Sequence, residues 1–239
     1  MPRPHRAAIG GYVYHVLNRA NARMTLFRAG ADYEAFLRVL TEAHRRVAMR
    51  TIGFCIMPNH WHLVLWPSGD GDLSEFMRWL TVTHTQRWHA AHDTAGSGHL
   101  YQGRFKSFPV QHRRPGAAER ARGLIKGGDA VLSVLRYVER NPLRAELASS
   151  AEKWPWSSLH ARLVGNMVEC PPLTMPPIGL PDDWLEQVNR PQNDEELAAL
   201  QRCMKRGSPY GQELWVQRLA KEWGLENTLR PRGRPRKSD

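Results

Sequence analysis

Between Tyr12 and Val110 two kinds of periodicity take turns, and their order constrains the fold more than any other feature of the chain. Tyr12 to Leu17, behind Gly10-Gly11, is rich in aromatic and branched side chains and reads as a strand. From Asp32, a candidate cap, Tyr33, Phe36, Leu37, Leu40, Ala43 and Val47 recur at the spacing of one helical face. Thr51 to Met57 reads as a strand that turns at Pro58-Asn59 and runs back from His60 to Trp66 as a hairpin. Leu73, Phe76, Met77, Leu80, His84, Trp88 and Ala91 mark a second long helix, and Leu100 to Val110 supplies a fourth strand.

Strand, helix, strand, strand, helix, strand is the order of a split βαβ unit. The expected class is therefore α+β: a ferredoxin-like or RRM-like antiparallel sheet with helices on one face, plus a small helical C-terminal appendage. The other face of such a sheet is expected to be free for a ligand.

The charge says which ligand. Lys and Arg number 34 against 23 Asp and Glu, a formal net charge of +11, which points to a partner rich in phosphates. A membrane surface is the competing anionic partner, but no apolar run approaches the ~20 residues that a spanning helix needs. The chain is expected to be soluble and cytoplasmic, associated with the nucleoid, as a monomer or homodimer. Cys55, Cys170 and Cys203 are odd in number and far apart, which fits neither a disulfide framework nor a zinc knuckle.

Three groups of residues carry candidate chemistry. His60 and His62 are two apart on one strand, so both imidazoles project from one face and could grip a metal ion. With 11 His in 239 residues, a His-x-His pair arises by chance about half a time, so a surface histidine cluster is the competing reading. Asn18, Arg19 and Arg23 lie in a polar, basic loop after the first strand. Arg104 and Lys106 share a face of the fourth strand among aromatic residues, an arrangement that suits single-stranded nucleic acid.

Further on, Val131, Val134, Leu135 and Val138 define a helix that Pro142 is expected to end at Asn141. Tyr137 and Asn141, four apart, can reach one point beyond the sheet. Read from spacing alone, Tyr137 as a boundary core residue and Asn141 as a cap serve as well. The basic stretch His112 to Asp129 before this helix reads as an inserted loop.

Four segments together carry a resemblance: Tyr14-His15-Val16 with Asn18-Arg19; Met57-Pro58-Asn59-His60-Trp61-His62; Gly98 to Ser107; and Arg136 to Ala145. In order and spacing over residues 1 to about 165 they resemble the REP-associated tyrosine transposases, single-tyrosine members of the HUH group. The resemblance implies a transposase that nicks and rejoins single-stranded DNA, often at hairpin-forming repeats, through a 5′-phosphotyrosine. It makes Tyr137 the nucleophile, His60, His62 and Asn141 the metal ligands, and Mg²⁺ or Mn²⁺ the metal. Tyr101, which stands where these proteins usually have tryptophan, is the rival nucleophile. No nucleotide cofactor is expected. The residues also leave room for an inactive DNA-binding protein on the same fold, or an RRM-like RNA binder.

Four regions are expected: a catalytic domain over 1–165, a proline-rich linker over 166–181, a helical appendage over 182–228 and a basic disordered tail over 229–239. In the appendage Asn193, with Glu196 three residues on, starts one helix, and Leu214 to Trp223 form another ending at Gly224. They make either a packing hairpin or a DNA-reading pair. The tail, with Arg230, Arg232, Arg234 and Arg236 around Gly and Pro, resembles an AT-hook and is a further DNA-binding candidate.

Overall fold

The computed structural model describes residues 8–112, 129–165 and 170–230. Arg232, Arg234, Arg236 and most of the inserted loop lie outside them.

The elements follow the expected order: β1 (Val13–Arg19), α1 (Gly30–Arg46), β2 (Met49–Met57), β3 (His60–Pro67), α2 (Asp72–Ala91) and β4 (Lys106–Val110). They form one antiparallel sheet in the order β2-β3-β1-β4. The fourth strand is shorter than the sequence suggests, because Leu100 to Phe105 stays irregular apart from a single bridge between Tyr101 and Ala20.

α1 and α2 lie together on one face. Tyr14, Val16, Phe54, Ile56, Trp61, Leu63 and Leu65 point there from the strands and pack with Phe36, Leu40, Phe76 and Leu80 from the helices. Full burial of each such side chain stabilises the fold by roughly 1.5–3 kcal/mol. Tyr101 belongs to this side. Its hydroxyl is buried between Trp61 Nε1 (3.0 Å) and His84 Nδ1 (2.6 Å), and burial raises its pKa, so this phenol is a packing group.

The opposite face is not open over its whole width. α3 (Ala130–Glu139) packs on it, starting at Asp129, whose carboxylate caps the backbone N–H of Val131 and Leu132. Val131, Val134, Leu135 and Val138 meet Ile52, Cys55, Val64 and Phe108. The approach to β2 is close: a Cβ on Gly53 would stand 2.3 Å from Leu135 Cδ1 and 2.9 Å from Ser158 Oγ. Pro142 does not stop the helical course as expected. The chain breaks at Arg140 and resumes as α4 (Asn141–Arg144), with proline in the first turn, where its missing N–H costs no hydrogen bond.

Beyond the sheet come α5 (Ser158–Val164), α6 (Trp184–Asn189), α7 (Asp194–Arg206), α8 (Glu213–Glu222) and α9 (Glu226–Leu229). Asn193 caps α7 by accepting from Glu196 N, as its spacing predicts, and Gly207 ends it in the left-handed region. Both sheet edges are covered. Ser157 and Leu173 bridge to Cys55 and Thr51 on β2, so the proline-rich segment has a fixed seat. Tyr210 bridges to Val110 on β4, with Tyr210 N donating to Pro109 O at 2.9 Å.

The helical appendage grips α3. Glu139, fully buried, accepts from Ser158 Oγ (2.5 Å), Trp184 Nε1 (2.8 Å) and the Arg162 guanidinium. Arg136 donates to the carbonyls of Arg190 and Pro191, and Arg140 to those of Val188 and Asn189.

Candidate active site

The hairpin turn at Pro58-Asn59 puts His60 and His62 at the start of β3, on the α3 side of the sheet, with ring centroids 5.0 Å apart. Tyr137 stands over them, its ring centroid 5.9 Å from that of His62. One turn on, Asn141 is 3% exposed and accepts through Oδ1 from the Arg144 guanidinium. That guanidinium also lies 4.2 Å from the centre of the Tyr137 ring. His60, His62, Tyr137 and Asn141 thus line one cleft, as their spacing allows.

Both imidazoles of the pair are neutral at pH 7. Burial pushes His60 down to about 4, with Arg19 and Arg144 adding to the shift. Burial, then His60 and His15, holds His62 well below the usual range. The Asn59 amide accepts from His60 Nδ1 at 2.6 Å, since its oxygen has nothing to donate. Its nitrogen points to Arg23 O, which fits that orientation. The proton of His60 is therefore on Nδ1, and the Nε2 lone pair is free.

His15 is the residue that reading the sequence missed. It is 1% exposed and its Nε2 lies 2.8 Å from His62 Nδ1. If His62 Nδ1 donates, His62 Nε2 is also left as a lone pair. A signal was available: β1 runs beside β3 in a split βαβ sheet, and Leu17, on the face of His15, stands opposite His62.

The cleft measures about 1020 Å³. Arg19, Arg104, Lys106, Arg144, Lys205 and Arg206 line it, and no Asp or Glu does among the described residues. Asn18 is there too, while Arg23 and Arg230 are not brought to it. Two buried donors of its lining residues, Arg19 Nε and Asn141 Nδ2, have no hydrogen-bond partner among the described residues. A buried donor left unpaired costs about 1–3 kcal/mol, so the arrangement is set up for an acceptor from outside the chain.

Residues 9–120 match the family model described as Transposase IS200 like. Over this stretch, a little under half of the chain, the sequence is similar to IS200-like transposases. The transposase match takes in the whole sheet, α1, α2 and the histidine pair, and stops before Tyr137 and Asn141. Among solved structures, that of a REP-associated tyrosine transposase bound to a REP hairpin covers 76% of this chain and 98% of its own, at 17% identity and a TM-score of 0.49. A crystal structure of a provisionally assigned transposase from Deinococcus radiodurans R1 covers 51% of this chain and 92% of its own, at 15% identity and a TM-score of 0.36. No curated protein matches the sequence. No helix among the described residues is long and apolar enough to cross a membrane.

Proposed function

We propose that this protein is a transposase that cuts and rejoins single-stranded DNA at repeat hairpins, with Tyr137 as nucleophile and a divalent cation held by His60, His62 and Asn141. The observation that carries the reading is a tyrosine set against two neutral imidazoles in a cationic cleft that has no carboxylate among the described residues. The donor set fits a cation, because His60 presents a bare Nε2, His62 can present another, and the Asn141 oxygen has a second lone pair beside the one facing Arg144. Mg²⁺ or Mn²⁺ is the metal that the family resemblance suggests.

A bound cation would draw charge from a scissile phosphate oxygen, which matters because a phenol is a weak nucleophile at neutral pH. The rest is the work of the chain. The Glu139 anchor fixes α3 and so the direction from which the Tyr137 oxygen approaches phosphorus. As the Tyr137 O–P bond forms, the bond from phosphorus to the 3′ oxygen breaks. The phenolic proton passes to water and the departing 3′ oxygen takes one up. Attack by another 3′-hydroxyl reverses the exchange and rejoins strands, so no nucleotide is consumed. Asn18, Arg19, Arg104 and Lys106 hold the DNA backbone, and the Arg230 to Arg236 tail adds a second DNA contact.

The test is to incubate the protein with labelled single-stranded hairpin DNA and Mn²⁺ or Mg²⁺ and look for an adduct that survives denaturation. An adduct in the wild type that is absent in Tyr137→Phe is expected. Binding without any adduct, across several hairpins and both metals, would leave a DNA-binding protein on a transposase fold.

A further inference from the structure

The histidine pair occupies only one end of the cleft. Ten of its lining residues, from Gln201 to Thr228, come from the C-terminal helices, which stand outside the family match. Those helices are docked firmly. Besides the Tyr210 bridge, Gln111 N donates to Tyr210 O (2.9 Å) and Gln111 Oε1 accepts from Gln212 N (2.8 Å). The end of α7 comes up against β4, where a Cβ on Gly207 would lie 3.5 Å from Ser107 O. Trp223 wraps the far end, 4.7 Å from the Tyr12 ring centroid, and its buried Nε1 has no partner.

The two walls match in charge. Arg104 and Lys106 stand exposed on the β4 side, and Lys205 stands exposed on the α7 side. Arg206 is already committed, since its guanidinium donates to the carbonyls of Asn227 and Thr228 and ties α7 to α9. Among the described residues, Lys205 is therefore the open cation of this wall. Like charges facing each other across a groove repel one another unless a polyanion lies between them. Binding between such walls releases counterions from the polyanion, so affinity falls with salt in proportion to the phosphates neutralised.

We propose that the groove between β4 and α7 is the track for the single strand continuing from the reacting phosphate, and that the C-terminal helices are its second wall. The inference rests on the reading that the cleft takes DNA. Lys205 is a phosphate contact in it, on the wall that the C-terminal helices supply.

Fluorescence anisotropy with full-length protein, in EDTA so that no cutting occurs, compares a blunt hairpin with the same hairpin carrying a single-stranded extension. Lys205→Glu is expected to weaken binding of the extended hairpin about tenfold, to lower its salt slope by about 1, and to leave the blunt hairpin unchanged. Arg202→Glu, the same charge change on an exposed α7 residue outside the cleft lining, is the control and should bind both as the wild type does. Equal weakening by both variants, no weakening by Lys205→Glu, or tighter binding of an all-ribose extension would each overturn the proposal. The adduct assay separates it from the nuclease reading. An adduct with an unaffected Lys205→Glu sinks the groove alone, whereas a Lys205-dependent extension effect without any adduct sinks the nuclease alone.

Discussion

The two faces of one sheet handle buried polar groups in opposite ways. Trp61 and His62 are neighbours on β3, both at most 2% exposed, and they point to opposite sides. On the side of α1 and α2, Trp61, Tyr101 and His84 close a hydrogen-bonded chain within an apolar core. On the other side, His60 and His62, with His15 behind them, line a cleft whose described residues include two unpaired donors and only cationic charge. Burial alone does not separate a working histidine from a structural one. What separates them is whether the surroundings satisfy the polar atoms or leave some unmet.

Four substitutions test that contrast. The largest effect is expected for His60→Ala, which should remove metal-dependent adduct formation, a loss of several kcal/mol or more than about a hundredfold in rate, with little change in unfolding temperature. A matching fall in thermal stability would mean that the histidine pair is structural after all. Trp61→Ala should do the reverse. It empties a fully buried site and costs about 3–5 kcal/mol, or about 6–20 °C in the unfolding midpoint. Gly53→Ala pushes a methyl group into Leu135 and Ser158, and should cost about 1–3 kcal/mol while lowering adduct yield by shifting α3. Unchanged stability there would show that the helix seat has room to yield.

The last test is one of pH. Burial pushes His84 down to about 3, whereas in the unfolded chain it titrates near 6.5. Above about pH 6.5 neither state takes up a proton at this site. As pH falls below that, the unfolded state gains one that the folded imidazole refuses, so stability drops toward pH 3 by about 1.4 kcal/mol per pH unit. Denaturant midpoints at pH 7, 6, 5 and 4 should show that slope reduced in His84→Gln, and an unaltered slope would assign the acid sensitivity to other groups.

Much of this was legible in the sequence because its signals are local. The alternation around His60 and His62, the helical spacing from Tyr33 and the Asn193 cap each depend on a few neighbouring residues, and these elements stand where their patterns put them, except that α1 starts at Gly30, with Asp32 as its third residue rather than its cap. What escaped depends on contacts across the chain. Nothing near Tyr210 announces that it pairs with Val110, a hundred residues earlier, so the appendage read as separate from the sheet. His15 looked like one polar residue in an apolar strand, and only the pairing of β1 with β3 gives it a partner. Pro142 read as a stop because a proline's effect depends on which turn of a helix it enters, and here that is the first.

The Glu139 anchor limits how far the protein can be cut down. A fragment ending at residue 165 would keep every side chain around the histidine pair, Tyr137 and Asn141 included. It would lack Trp184, leaving one oxygen of a fully buried carboxylate bare two residues from that tyrosine, and Arg136 and Arg140 would lose the carbonyls that receive them. Any version of this molecule that keeps the anchor whole therefore extends at least to residue 191. That minimum is set by the upkeep of one inward-facing acid outside the cleft lining.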